Sequence, residues 1–196
     1  MRRRPALLVL DLINEIAHPE GRFPDKCLDQ VVERGVIERS ATAIARARAQ
    51  GIPVIYVVVG FTPGYGDWPR DSPLFAEVPD GDRLLLGTWA TRVVDELKPE
   101  PGEPVVAKRR VSAFHGTHLD TLLRAREVDT LLLLGVTTDL VVLSTAREAH
   151  DRDYRVEVLA DATATETPEL HEAALTLLAR TATVTTVDRA LGRAAA

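Results

Sequence analysis

The stretch Leu131–Ala149, "LLLLGVTTDLVVLSTAREA", decides the fold. Its opening run of leucines ends at Gly135, as is typical of a strand that is buried on both faces of a parallel sheet. The polar turn Thr137–Asp139 follows, and the apolar segment Leu140–Arg152 after it is predicted to be a helix. Ligands of α/β proteins bind where such strands end. The stretch therefore predicts an α/β fold and places a candidate site at this turn.

The same alternation of strand and helix runs along the whole chain. The predicted strands are Ala6–Leu12, Pro53–Val59, Val105–Lys108, Thr130–Gly135, Val156–Ala160 and Ala182–Val187. The predicted helices are Leu28–Gln50, Trp89–Leu97, His118–Arg126, Leu140–Arg152 and Pro168–Arg180. Thr62–Leu85, rich in Gly, Pro and Asp, is predicted to be a long loop of the kind that is usually functional or mobile. Six strands with crossover helices predict a three-layer αβα, Rossmann-like fold with a mostly parallel sheet, as a single domain over residues 1–196.

Composition narrows the class of protein. The 196 residues are 45% hydrophobic and 27% charged, and the net charge of −5 comes from interleaved acids and bases. This pattern offers no basic face for nucleic acid and no polybasic patch for a membrane. The apolar run after Arg2–Arg4 is only about seven residues long before Asp11, so it is interpreted as a strand and not as a signal peptide. With Cys27 as the only cysteine, we expect a soluble cytoplasmic protein without a disulfide within the chain.

Two polar residues interrupt strands at the edge where ligands bind. Asp11 lies within "LLVLDLI" and Lys108 ends "PVVAK". A buried carboxylate is costly unless it is paired or functional, and the two groups together would shift each other's pKa and share proton transfer. Separately, Asp11 could cap a loop and Lys108 could extend to solvent from the sheet edge.

Other candidates give weaker signals. The spacing of His115 and His118 is compatible with a metal, but no cluster of carboxylates lies nearby in the sequence, so no metal is predicted. Ser144 lacks a histidine at a known distance, Asp161 is interpreted as a turn or cap residue, and Cys27 as an inert thiol at a helix start. The sequence contains no phosphate-binding loop and no G-x-G-x-x-G, and no cofactor is expected.

Three motifs occur in a familiar order along the chain. They are Asp11 after the first strand, the Lys-x-x-x-Ser-Ala-Phe unit at 108–114, and Gly135-Val136-x-Thr138 followed by Thr145-Ala146. Together they resemble the isochorismatase-like superfamily, which includes cysteine hydrolases such as nicotinamidases and carbamoyl amidases, and the resemblance runs from about residue 6 to residue 161. It implies a three-layer α/β fold, a homo-oligomer (dimer or tetramer), a cis peptide near Val136-Thr137 and a catalytic triad of Asp, Lys and Cys.

The chain departs from that triad at one position. Asp11 and Lys108 match the family's Asp and Lys, but the residue three after Thr138, where the Cys belongs, is Val141. Valine cannot attack a carbonyl, so activity as a cysteine-type amidase is not expected. The Asp-x-His-x-x-His metal motif of nicotinamidases is also absent from "GFTPGYGDWPRDSP", residues 60–73, so nicotinamidase activity is not expected either.

True isochorismatases also lack the cysteine. They share a Lys-x-Arg-x-Ser-Ala-Phe unit, here Lys108, Arg110, Ser112, Ala113 and Phe114. In their chemistry the Asp protonates the vinyl carbon of an enol ether, and water captures the oxocarbenium ion. They carry Tyr-Ala-His where this chain has Thr137-Thr138-Asp139, and their Gln and aromatic after the first Asp are replaced by Ile13 and Ile16. Isochorismate itself is therefore not expected as the substrate.

The first hypothesis is a Cys-independent hydrolase of a small molecule, with Asp11 as general acid or base and Lys108 as its partner. The expected substrate-binding residues are Asn14, Tyr65, Trp68, Arg110, Phe114, Thr137, Thr138 and Val141. The turn Thr137–Asp139 would offer backbone donors to an oxyanion, the aromatic residues would form pocket walls, and the loop Thr62–Leu85 would lie over the site. Two alternatives stay open: a non-catalytic ligand-binding protein, and a lyase or isomerase that uses the same site.

Overall fold

A six-stranded sheet, parallel throughout, forms the middle layer of the computed structural model, which describes residues 3–22 and 27–192. Its order is β3-β2-β1-β4-β5-β6. The strands are β1 (Pro5–Leu10), β2 (Val54–Val59), β3 (Val105–Lys108), β4 (Thr130–Val136), β5 (Arg155–Ala164) and β6 (Thr183–Thr185). The predicted α/β architecture is thereby confirmed.

Helices cover both faces of this sheet. They are α1 (Asn14–Ala17), α2 (Cys27–Glu33), α3 (Val36–Ala49), α4 (Leu119–Ala125), α5 (Leu143–Asp151), α6 (Pro168–Leu178) and α7 (Val187–Ala190). Short 3₁₀ turns occur at Pro73–Phe75 and Asp95–Leu97, and a single turn of π-helix at Thr138–Val142 leads into α5. No helix in the described ranges is long and apolar enough to cross a membrane.

The apolar runs of the central strands build two hydrophobic cores. In β1, Leu7 and Val9 face the core beneath α3 and α7, whereas Leu8 and Leu10 face the core beneath α4, α5 and α6. All four side chains are 0–1% exposed. Because each fully buried aliphatic side chain stabilises the fold by about 1.5–3 kcal/mol, these strands anchor both layers.

Gly135 allows the carboxyl ends of β1 and β4 to lie side by side. It pairs with Leu10 in the sheet and has a φ of 118°, a left-handed value that favours glycine. A Cβ atom at this position would overlap the backbone carbonyl of Leu10. The close approach brings Asp11, which follows β1, next to the turn that follows β4.

The predicted helix Leu28–Gln50 is two helices in the structure. Gly35, with a φ of 61°, separates α2 from α3. At this break the side chain of Arg34 donates to the backbone carbonyls of Thr163 and Ala160. A continuous helix would not place the side chain of Arg34 at these carbonyls. The sequence predicts a single element because apolar residues such as Val31, Ile37 and Ala41 recur at roughly helical spacing across the break.

The predicted helix Trp89–Leu97 is wrong. Ile13 forms an isolated antiparallel bridge with Val93, and the amides of Asn14 and Glu15 donate to the carbonyls of Arg92 and Ala90. These carbonyls would otherwise accept bonds from their own helix. Pairing with the chain after β1 therefore holds this segment in turns until the 3₁₀ turn at its end.

Candidate active site

An ion pair between Asp11 and Lys108 lies at the carboxyl edge of the sheet. Lys108 Nζ is 2.7 Å from Asp11 Oδ2, and both residues are 1% exposed. Lys108 ends β3, which lies two strands, or about 10 Å, from β1, so only a long side chain reaches Asp11. Asp11 directly follows β1 with a φ of 51°, a left-handed value that Asp tolerates better than most residues, and its amide donates to Val57.

Burial and charge act against each other on this pair. Burial raises the pKa of the Asp11 carboxyl, and the adjacent Lys108 ammonium partly opposes that rise. Lys108 Nζ also donates to the carbonyl of Arg110 at 3.1 Å, so two of the three donors of the ammonium are engaged. Asp11 Oδ1 is buried without a hydrogen-bond partner. A carboxyl in this position can hold and deliver a proton.

A small cavity of about 60 Å³ opens onto this pair. Its polar wall consists of Asp11, Lys108, Thr137, Asp139, Thr165 and Glu166. Its apolar wall includes Ile16, Val59, Leu74, Phe75, Val111 and Val141. Leu74 and Phe75 come from the long loop after β2, so this loop contributes to the cavity wall. The lining residues lie at or just beyond the carboxyl ends of five neighbouring strands, as expected for a parallel sheet.

The turn after β4 forms one side of the cavity. The Val136-Thr137 peptide bond is cis, in agreement with the resemblance, and the π-turn begins at the next residue. The hydroxyl of Thr137 is buried without a partner, and Val141 lies in the cavity wall with 9% of its surface exposed. Single π-turns are frequent at functional sites. Val141 thus lies in the same cavity as Asp11 and Lys108.

A buried histidine supports this turn from behind. His171 of α6 is 1% exposed, with Nε2 at 2.8 Å from the Arg34 guanidinium and Nδ1 at 2.9 Å from Thr138 Oγ1. Burial, assisted by Arg34, lowers the pKa of His171 to about 4. Because a guanidinium only donates, Nε2 accepts, and Nδ1–H donates to the threonine hydroxyl. His171 belongs to no sequence motif and is therefore not predicted from the sequence.

Three residues predicted to bind substrate lie outside the cavity wall. Asn14 donates to the carbonyl of Trp89, the Tyr65 hydroxyl donates to the carbonyl of Arg83, and the Trp68 indole donates to the carbonyl of Phe75. Their polar groups hold the irregular segments that surround the site. Trp68 thereby helps to position Phe75, which does line the cavity.

Three further predicted binding residues are also displaced from the wall. Phe114 stacks on Tyr154 in the core with ring centroids 5.9 Å apart. The Arg110 guanidinium donates to the carbonyls of Asp67 and Arg109 and lines a neighbouring pocket. Thr138 is fully buried behind the turn. Of the eight predicted binding residues, Thr137 and Val141 line the cavity.

The polar groups after β5 also line the cavity, although they are not among the residues predicted from the sequence. Strand β5 was predicted to end at Ala160 but continues to Ala164, which carries Thr165 and Glu166 to the cavity. Thr165 donates its hydroxyl hydrogen to Asp139 Oδ1 at 2.5 Å. The alternation of Thr with small residues in "ADATATE" was the signal for this longer strand.

The one thiol of the chain lies outside the cavity wall. Cys27, at the start of α2, is 0% exposed, and burial, with smaller effects from Asp139 and Glu166, raises its pKa to about 12. A thiol in this state is not a nucleophile at neutral pH. Within the described ranges, no group of three or more His, Cys, Asp or Glu side chains is arranged to hold a metal ion.

Comparisons with known proteins agree with this fold. The sequence model of the isochorismatase domain family matches residues 5–189 of this chain. A ureidoacrylate amidohydrolase RutB from Methylobacterium radiotolerans is 41% identical over 182 residues, which cover 86% of this chain and 70% of that protein. An isochorismatase family protein from Desulfovibrio vulgaris has a TM-score of 0.86 at 32% identity, with 98% of this chain and 100% of that chain covered. N-carbamoylsarcosine amidase from Thermoplasma acidophilum has a TM-score of 0.74 at 32% identity, with 94% and 97% covered.

The chain therefore belongs to the isochorismatase family of hydrolases. Several relatives are named as amidohydrolases or amidases, so the expectation that cysteine-type amidase activity is absent receives no support from the comparisons.

Proposed function

We propose that this chain hydrolyses a small molecule with water as the nucleophile, and that Asp11 carries the proton while Lys108 holds its carboxyl in place. The observation that supports the proposal most directly is the buried Asp11–Lys108 pair, 2.7 Å apart, in the wall of a cavity that also contains Val141. A pair of buried charges is costly to maintain without a use. Because the side chain of Val141 cannot act as a nucleophile, catalysis at this site would depend on proton transfer by Asp11.

The environment of Asp11 suits a general acid. Burial raises the pKa of its carboxyl, so the protonated form persists to higher pH than that of an exposed Asp. With an enol ether, the carboxyl would deliver its proton to the vinyl carbon, water would add to the oxocarbenium ion, and the hemiketal would collapse to a ketone and an alcohol. With an amide or a ureido group, the Asp11 carboxylate would take a proton from the water that attacks the carbonyl carbon and would pass it to the departing nitrogen. General acid catalysis of either kind contributes about 10²–10⁴-fold.

The turn after β4 would stabilise developing negative charge. The first N–H groups of the helical segment that begins at Thr138 have no partner within that segment. Donors of this kind, directed at an oxyanion, are among the strongest contributions to hydrolysis. The substrate oxygen would lie near the backbone of Thr138 and Asp139.

A substrate panel tests the proposal. Vinyl ethers, N-carbamoyl amines and simple amides are incubated with the parent in H₂¹⁸O and, separately, in D₂O. We expect one class to turn over and to take up oxygen-18, and an enol ether product to carry deuterium on carbon. Asp11→Asn is expected to lower kcat by about 10²–10⁴-fold because it removes the proton carrier.

Cys27→Ala, which removes the only thiol of the chain, is the matched control. It is expected to keep the parental rate. Loss of activity in a correctly folded Cys27→Ala protein would contradict a thiol-independent mechanism. Full activity in Asp11→Asn would show that Asp11 has no part in the mechanism. A parent protein that binds these compounds without converting any of them would be a binding protein and not a hydrolase.

A further inference from the structure

The cavity mouth carries more negative than positive charge. Asp139 and Glu166 line it together with Asp11, whereas Lys108 is the one cation in the wall within the described parts of the chain. The ammonium of Lys108 lies 2.7 Å from Asp11, so their charges offset each other. Within the wall, Asp139 and Glu166 therefore contribute the charges that an entering molecule meets, while the Arg110 guanidinium lines a neighbouring pocket.

The ends of neighbouring strands bring these carboxylates together. Asp139 follows β4, and Glu166 follows β5. Thr165, which is 1% exposed, donates to Asp139 Oδ1 at 2.5 Å and fixes that carboxylate at the mouth. Glu166, the next residue along the chain, is exposed to solvent. One carboxylate is thus held in place and the other is free to adjust to a ligand.

Two unpaired polar atoms independently indicate a ligand in the same cavity. Asp11 Oδ1 and Thr137 Oγ1 are buried without a hydrogen-bond partner, in residues that are 1% and 8% exposed. Both residues line the cavity. A carboxylate oxygen accepts a hydrogen bond from an N–H group, and a threonine hydroxyl can donate to a carbonyl oxygen. A molecule that offers both groups would satisfy both atoms.

We infer that Asp139 and Glu166 are specificity-determining residues that select a small neutral or cationic molecule with N–H donors and a carbonyl oxygen, such as an alkylurea, over one with a carboxylate at the mouth. The inference rests on the proposed function for the use of the cavity, and it narrows the substrate class. Each carboxylate within several ångströms of a ligand anion weakens its binding by roughly tenfold in a partly solvated site.

The test is a binding experiment with three probes of similar size: ethylurea, N-carbamoylglycine and N-(2-aminoethyl)urea, which are neutral, anionic and cationic. Dissociation constants are measured by calorimetry or by ligand-observed NMR at low ionic strength. We expect the parent to bind the anion at least about tenfold more weakly than the neutral probe, and the cation at least as tightly as the neutral probe. Raising the salt to about 1 M, where the Debye length is about 3 Å, should reduce these ratios.

The variant Asp139→Asn with Glu166→Gln is expected to bring the anion-to-neutral ratio close to one. Glu169→Gln is the matched control, because it removes an exposed acid of α6 that does not line the cavity, and it should keep the parental ratio. The inference is overturned if the parent prefers the anion, if the double variant keeps the parental ratio, or if no probe binds. The binding experiment does not depend on turnover. If the probes bind in the expected order but none is hydrolysed, the proposed function is refuted and the charge selectivity stands.

Discussion

At the scale of single residues, Asp11 and Lys108 depend on each other. Asp11→Asn is expected to lower the free energy of unfolding by about 3 kcal/mol, because it leaves a buried ammonium without its counter-charge. Asn tolerates the left-handed backbone of this position, so the loss reports on charge and not on strain. Adding Lys108→Met should recover most of the loss. Urea unfolding of the two single variants and the double variant measures this coupling, and simple additivity would contradict it.

Val141 is the position at which we expect a substitution to change the chemistry of the site. Val141→Cys, made in the Cys27→Ala background, places a single thiol in the cavity beside the Lys108 ammonium, which should lower its pKa. We expect it to react with iodoacetamide faster than Cys27 does in the parent, and to form a covalent acyl adduct with an activated ester that mass spectrometry detects. Val141→Ala in the same background controls for the change in size. An unreactive thiol at 141 would show that the cavity does not support acyl transfer.

At the scale of elements, His171 makes the support of the β4 turn sensitive to pH. Its pKa is about 4 in the folded protein, against an ordinary 6.5, so between these values the unfolded chain binds a proton that the folded chain does not. The contribution of His171 to the free energy of unfolding is fully present above about pH 7. It decreases as the pH falls, by about 2 kcal/mol between pH 7 and pH 5. Among the described residues, Glu172 also acts on this ring through its charge, and it opposes the shift that burial and Arg34 cause.

Urea unfolding at pH 7, 6 and 5 measures this dependence. His171→Gln is expected to be less stable at pH 7 but to have a flatter pH profile than the parent, since it retains an acceptor for Arg34 without a titrating ring. Replacing the exposed His150 by Gln is the matched control and should keep the parental slope. Equal slopes in the parent and His171→Gln would show that His171 does not contribute.

The same scale shows which elements can be predicted from sequence. The strands β1 to β4 were predicted to within two residues, because a strand buried on both faces is a continuous apolar run. The helix predicted at Trp89–Leu97 failed because backbone pairing with the chain after β1 overrides a local pattern. Asp11 and Lys108 were predictable since each interrupts such a run. Tyr65 and Trp68 were misplaced because the path of a long irregular loop depends on contacts that no short-range pattern encodes.

At the scale of the whole molecule, the order of the strands brings the candidate site residues together at one edge of the sheet. The chain runs outward from β1 to β3 on one side and from β4 to β6 on the other. The carboxyl ends of β1 and β4 therefore meet at the point where the strand order reverses, where open α/β sheets bind ligands. The assembly into a dimer or tetramer, implied by the resemblance to the family, stays a prediction.

The residues that the proposed mechanism uses lie on separate segments of the chain. Asp11 and Lys108, which the proposed function makes the proton carrier and its cationic partner, and Val141, where a thiol would lie, are at or after the ends of three different strands and are separated by long stretches of chain. A substitution at position 141 therefore leaves the covalent neighbours of Asp11 and Lys108 unchanged. Under the proposed function, a substitution at this one position would change the type of reaction while Asp11 and Lys108 keep their roles.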